Sequence, residues 1–323
     1  MNLHENKDVF TAAIQLASTP KQEGGLGIKQ IYIEKDYWIC RSLKQLSECK
    51  ESEVAVFKGG TSLSKAYLLG NRFSEDIDIA ITSDSQRTDN QTKNIISRIS
   101  KVMSAGLEEI PNPATRKYSK YRKAFYRYPV TTENEIIGAI NPGQILLEIV
   151  SFANPYPYQK VFIKSFLTEY LKNAGRNDII EAYGMQGFEI QVLAKSRTAT
   201  EKLVSLIRHS LSADYISELK AKIRHFYDLH FLWNDPESRA YLESAEFKTD
   251  FKALLSSDQT RFKEPEGWCD KKVTDSPLIS SFDIVWSELQ ETYSKELPEL
   301  AYQTIPSPES VAESFKELSV LLI

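Results

Sequence analysis

Residues 54–81 constrain this chain more than any other stretch. A short apolar strand at 54–57 enters Lys58-Gly59-Gly60-Thr61-Ser62. A helix-like segment follows at 63–69, then a Gly70-Asn71 break, then Asp76-Ile77-Asp78-Ile79-Ala80-Ile81. The last segment alternates polar and apolar residues, the period of a half-buried strand. A second apolar strand, 144–152, follows an Asn-Pro-Gly turn at 141–143. The expected fold class is α+β: a small mixed sheet flanked by helices, with a helical C-terminal region.

The polar residues of these strands suggest chemistry. Side chains at i and i+2 of a strand share a face, so Asp76 and Asp78 point together while Ile77, Ile79 and Ile81 face the core. Two like charges so close favour protonating one of them unless a cation lies between them. Mg²⁺ suits such a pair, since it takes one or two carboxylates plus substrate phosphates. The alternative is an edge strand with a solvated polar face. Gly59 and Gly60 let the backbone approach a ligand. The helix start offers free N–H groups and a positive dipole end to a phosphate, with Thr61 and Ser62 adding hydroxyls. The alternative there is a tight turn and an ordinary helix cap. Glu148 interrupts Ile145-Leu146-Leu147-Glu148-Ile149-Val150. A charge in so apolar a strand requires a partner or a metal, and a lysine would serve as well. Three acids on neighbouring strands would suit two-metal catalysis.

Elsewhere, 31–49 reads as an amphipathic helix with Ile39, Leu43 and Leu46 at helical spacing, and 90–107 as another. Helical patterns dominate from Val192, with a break near 183–187. The expected domains are an N-terminal helical segment, 1–50; a catalytic core, 51–185; and a helical C-terminal domain, 186–323. Three cysteines without CxxC spacing fit a reducing compartment. No signal core precedes residue 10, and no apolar run approaches the roughly 20 residues that span a bilayer. The expectation is a cytoplasmic protein with no membrane partner. Histidine occurs only at 4, 209, 225 and 230, so neither a Ser-His-Asp nor a zinc site is suggested; His225 is expected to pack or cap beside Asp228.

Charge is uneven. Residues 235–323 hold 18 acidic and 9 basic residues, a net of −9; subtracting that from the chain's −4 leaves +5 on residues 1–234. Within 115–128, TRKYSKYRKAFYRY, six cations interleave with tyrosines and no acid occurs. Cations bind phosphates and aromatic faces stack on bases, so Lys120, Arg122 and Lys123 are candidate RNA contacts. A basic β-ribbon covering the sheet is the alternative.

FKGGTSLSKAYLLGNRFSEDIDIAI resembles the first motif of the AbiEii/AbiGii nucleotidyltransferases, toxins of type IV toxin–antitoxin systems within the DNA-polymerase-β-like superfamily. EKDYWICRSL, at 34–43, is similar to the family's lead-in helix, and ILLEIVSF to its third-carboxylate strand. ATEKLVSLIRH, at 199–209, resembles its lysine-bearing helix, and RHFYDLHFL, at 224–232, its Arg-x-x-x-Asp motif. The resemblance implies Asp76, Asp78 and Glu148 as metal ligands, and these with Lys202 and Asp228 as catalytic residues. It implies nucleotide contacts from Lys58, Gly59, Gly60, Thr61, Ser62, Ser74, Lys195 and Lys202. Asp228 would orient Lys202, contact the acceptor or act as a base; an intrahelical pair with Arg224 is the alternative.

The implied activity is Mg²⁺- or Mn²⁺-dependent transfer of NMP from an NTP to RNA, most often the tRNA 3′ end, by a toxin with a cognate antitoxin or a role in phage defence. Two alternatives stand beside it: transfer to a protein or small-molecule hydroxyl, and a nucleotide-binding regulator without turnover.

Overall fold

The computed structural model of the protein describes residues 1–132 and 143–323. The turn expected at 141–143 therefore lies outside the described residues except for Gly143. The chain forms two compact units: Met1–Leu68 with Phe73–Leu193, and Leu69–Arg72 with Ala194–Ile323.

The first unit is built on a mixed sheet. Its strands are β1 (Ala55–Lys58), β2 (Asp76–Ile81), β3 (Glu108–Ile110), β4 (Arg116–Lys117), β5 (Tyr121–Arg127), β6 (Gln144–Val150), β7 (Tyr158–Ile163) and β8 (Phe188–Leu193). Among the described residues these eight strands form one sheet in the order β3-β5-β6-β2-β1-β8-β7, with β4 beside β5. The sheet is thus wider than the motif strands alone implied. β2 runs parallel to β6 and antiparallel to β1, and β5 runs antiparallel to β6.

Among the described residues, six α-helices belong to this unit: α1 (Lys7–Ser18), α2 (Gln30–Ser47), α3 (Gly59–Ala66), α4 (Asp89–Met103), α5 (Phe166–Asn173) and α6 (Asn177–Ala182). Ile77, Ile79 and Ile81 are fully buried, as the alternation requires. Removing each from water stabilises the fold by about 1.5–3 kcal/mol. Register places Ile77 beside Leu147, and Leu147 beside Ala124, so these share a face with Tyr126. That face is covered by α4, whose Ser100 hydroxyl bonds the Tyr126 phenol at 3.0 Å, and by α2, whose Trp38 stacks on Tyr128.

Two boundaries differ from expectation. α3 begins at Gly59, not after Ser62, because Gly59 adopts φ +78° and turns the extended backbone of Lys58 straight into a helix. The units divide at Leu193/Ala194, later than the expected 185/186 boundary. β8 is the reason: it pairs in parallel with β1 and antiparallel with β7, so residues 188–193 are sheet. Residues 1–50 likewise lie in the first unit, where α2 packs on the sheet.

The second unit is helical: α7 (Lys195–Ser210), α8 (Tyr215–Lys220), α9 (Ile223–Asn234), α10 (Pro236–Leu242), α11 (Ala245–Arg261), α12 (Pro277–Ser280), α13 (Phe282–Leu300) and α14 (Pro308–Val320). Phe226, Phe282, Trp286 and Phe315 form an aromatic core, with ring centroids 4.8–6.4 Å apart. Asp235, Ser244 and Ser307 accept backbone N–H groups at the starts of α10, α11 and α14, which satisfies part of each helix's unpaired first turn. Among the described residues no helix is long and apolar enough to cross a membrane.

Candidate active site

The strand pairing lines up four charged residues. Lys58 of β1 lies opposite Asp78 of β2, Asp78 opposite Glu148 of β6, and Glu148 opposite Lys123 of β5. Directly paired residues share a face, so this row crosses the sheet on the side away from Ile77 and Ile79. Asp76 lies on the same side, one pleat along β2. Both aspartates are half-buried.

Gly59 meets this row at close range. A Cβ added there would lie 2.2 Å from Oδ2 of Asp78. Only glycine tolerates both that approach and the positive φ. The turn therefore seats the carboxylate of Asp78 against its own backbone, beside the start of α3.

Thr61 and Ser62 are placed at the start of α3. Both are buried. The Thr61 hydroxyl donates to the backbone carbonyl of Asp76 at 2.5 Å, and the Ser62 hydroxyl to the carbonyl of Gly59 at 2.8 Å. The Thr61 bond ties α3 to β2, and the Ser62 bond closes the first turn of α3. Ser74 is half-buried just ahead of β2.

Glu148 has local partners. Lys123 Nζ lies 3.9 Å from its Oε2, so the lysine-held arrangement is present. Burial raises the pKa of the Tyr121 phenol, and the hydrogen-bonded Glu148 carboxylate raises it further. Among the described residues no three His, Cys, Asp or Glu side chains converge closely enough to hold a metal ion. Glu148, in register with Asp78, also interacts with Lys123 and Tyr121. Asp76 and Asp78 still offer hard oxygen donors on one face, the number Mg²⁺ commonly takes from protein.

The candidate RNA contacts Lys123 and Arg122 lie on opposite faces of β5. Lys123 faces the charged row, whereas Arg122, its neighbour on β5, points to the opposite face by strand alternation. Lys120 precedes the strand and pairs with Asp89 at 2.8 Å, both exposed. Periodicity separates Lys123 from Arg122, which are adjacent in the sequence.

A second polar cluster lies within the helical unit. Lys202 Nζ and Arg72 Nη2 each lie 2.8 Å from Oδ2 of Asp228, and Arg72 Nε donates to Oδ1 at 2.8 Å. All three residues are buried. Burial alone would raise the Asp228 pKa, but Arg72 and Lys202 outweigh it and hold the carboxyl well below the usual range. Desolvation, with Lys202 and Lys222 nearby, pushes His225 well below its ordinary value, so it is neutral at pH 7. Asp228 thus pairs with Lys202, and its bidentate partner is Arg72 and not Arg224.

Lys195 stands apart from this cluster. Asp235 at 2.8 Å and Glu237 at 2.6 Å hold its ammonium, and Asp235 also caps α10. Those pairs tie α7 to α10.

Sequence reasoning missed Arg72 and the charges of α2. Arg72 sits in the Gly70-Asn71 break, where a lone cation carries no periodic signal. Glu34, Lys35 and Asp36 are each 1% exposed. Their signal was the apolar flanks, Ile31-Tyr32-Ile33 and Tyr37-Trp38-Ile39, which leave that part of the helix no solvent face.

A mixed sheet carrying two carboxylates beside a strand–Gly-Gly–helix turn, joined in one chain to a helical unit, is the arrangement of a nucleotidyltransferase. The family model described as nucleotidyl transferase AbiEii toxin, type IV TA system, matches residues 41–317. The chain belongs to this family of nucleotidyltransferase toxins. Comparison with curated proteins gives no match. Among solved structures, the chain is similar to JHP933 from Helicobacter pylori, at 17% identity over 90% of each chain and a TM-score of 0.42. It is also similar to MenT4, a nucleotidyltransferase toxin from Mycobacterium tuberculosis, at 14% identity over 97% of this chain and 98% of that one, with a TM-score of 0.45. At these scores the two likenesses carry no argument.

Proposed function

We propose that the protein transfers a nucleoside monophosphate from an NTP to an RNA hydroxyl, with the tRNA 3′ end as acceptor and Mg²⁺ or Mn²⁺ as the required ion. The observation that carries this reading is the seat of Asp78: against Gly59, in register with Lys58 and Glu148, and on the same face as Asp76. Asp76 and Asp78 hold the ion, with Glu148 beside them. When bound, the ion neutralises the triphosphate and polarises the α-phosphate.

The rest follows from the chain's own groups. The turn at Lys58, Gly59 and Gly60, with the N–H groups opening α3, receives the triphosphate. The acceptor oxygen bonds to the α-phosphorus as the bond to the pyrophosphate oxygen breaks. The hydroxyl proton passes to a carboxylate oxygen of Glu148. Lys202, oriented by Asp228, bears on turnover as a fixed cation. Family membership supports a cognate antitoxin, and RNA modification left uncountered would stop growth.

Incubating the protein with labelled NTPs and total RNA, with and without Mg²⁺, tests this reading. Label in RNA that requires Mg²⁺ is expected. Label confined to protein would replace the acceptor, and no label with any NTP would remove the activity.

A further inference from the structure

Phe73 and Glu75, two residues apart just ahead of β2, both turn toward α2. Phe73 stacks on Tyr32 with ring centroids 5.0 Å apart and planes 11° from parallel. Glu75 forms an ion pair with Lys35, itself 1% exposed. Tyr32 and Lys35 are spaced i, i+3, so they project from one side of the helix. α2 thus grips alternate side chains of the chain entering the catalytic strand. From the other side, Thr61 of α3 bonds the Asp76 carbonyl. The adjoining residues of α2 hold other parts of the same unit. Glu34 accepts from the backbone N–H and hydroxyl of both Thr131 and Thr132, while Asp36 pairs with Lys65 of α3 at 2.5 Å and accepts the N–H of Phe166.

We propose that Lys35 is a positioning residue for Asp76, acting through Glu75. A buried ammonium requires its counter-charge, which pins Glu75 toward α2. Pinning Glu75 fixes the direction in which the next residue, Asp76, leaves the sheet. The inference rests on the metal-holding role proposed for Asp76 and Asp78.

Charge and position make opposite predictions for one substitution. Lys35→Met removes the cation paired with Glu75, the residue before Asp76. If Lys35 acted only through its field, Mn²⁺ would bind more tightly to the variant. If it positions Asp76, Mn²⁺ binds more weakly. Titrating the full-length protein with Mn²⁺, read by electron paramagnetic resonance, is expected to show affinity at least about tenfold lower in Lys35→Met. Tyr32→Leu, which loosens the Phe73 stack without changing charge, is expected to weaken Mn²⁺ binding several-fold, and it serves should Lys35→Met fail to fold. Kinetics should follow: a higher Mn²⁺ midpoint for transfer, with KM for NTP at saturating metal within about twofold of wild type. Unchanged or tighter Mn²⁺ binding in a folded Lys35→Met, or in Tyr32→Leu if only that variant folds, overturns the inference alone. Absence of Mn²⁺ binding by the wild type overturns the metal-holding reading, and the inference with it.

Discussion

The two polar clusters of this protein handle charge in opposite ways. On the sheet, Asp76 and Asp78 lie half-buried on one face, and the nearest turn is a glycine whose missing Cβ leaves room for Asp78. In the helical unit, Asp228 is buried with both oxygens bonded by Arg72 and Lys202. The first arrangement gathers carboxylates on one face of the sheet, in register with Lys58 and Glu148. The second closes its charges on one another, so it orients a lysine and fixes the fold around it. Breaking a buried ion pair leaves an uncompensated charge and costs about 3–5 kcal/mol, whereas an exposed pair is worth about 1 kcal/mol or less.

Substitutions should separate the clusters along this line. The largest stability loss is expected for Asp228→Ala, which strands Arg72 and Lys202 together: about 3–5 kcal/mol by urea unfolding. The same carboxylate carries a pH signature. Its folded pKa lies below the unfolded value of about 3.9, so its contribution is full above that value and is lost as pH falls toward the folded pKa. The stability gap between wild type and Asp228→Asn should therefore narrow below about pH 4. A gap independent of pH would show that Asp228 does not stabilise the fold as an anion.

Gly59→Ala is expected to abolish transfer at a smaller stability cost, about 1–2 kcal/mol for a left-handed alanine, because its Cβ displaces Asp78. Wild-type turnover in that variant would remove the close seat of Asp78 from the account. Asp76→Asn should also abolish transfer while leaving metal-free stability equal or higher, since it relieves like-charge repulsion; calorimetry in chelator checks this. Smallest is Lys120→Ala, which breaks only the exposed pair with Asp89: a stability change under about 1 kcal/mol. If Lys120 contacts RNA, the salt dependence of binding should flatten by about 0.7–0.9 in slope. An unchanged slope would remove it from the RNA surface.

The sheet site was more legible in the sequence than the helical one, for a physical reason. Period-2 alternation reports which side chains share a face, so Asp76, Asp78 and the buried isoleucines were readable from residues 76–81. The same rule, applied to β5, would have split Arg122 from Lys123. Gly59 was recognisable as a turn, but its approach to Asp78 depends on strand register, which is a long-range property. Arg72 pairs with a residue 156 positions away, and no local pattern encodes such a contact. β8 was missed because six residues between a turn and a long helix offer little periodicity against the helical signal that follows.

The central claim is that Asp78, seated on Gly59, serves metal-dependent transfer of an NMP. Its most direct test compares α- and γ-labelled NTPs with wild type and Asp78→Asn, each checked for folding by circular dichroism. The account predicts Mg²⁺-dependent incorporation of the α-label alone by wild type, and none by a folded Asp78→Asn. Incorporation of the γ-label, or undiminished α-label incorporation by Asp78→Asn, would contradict it.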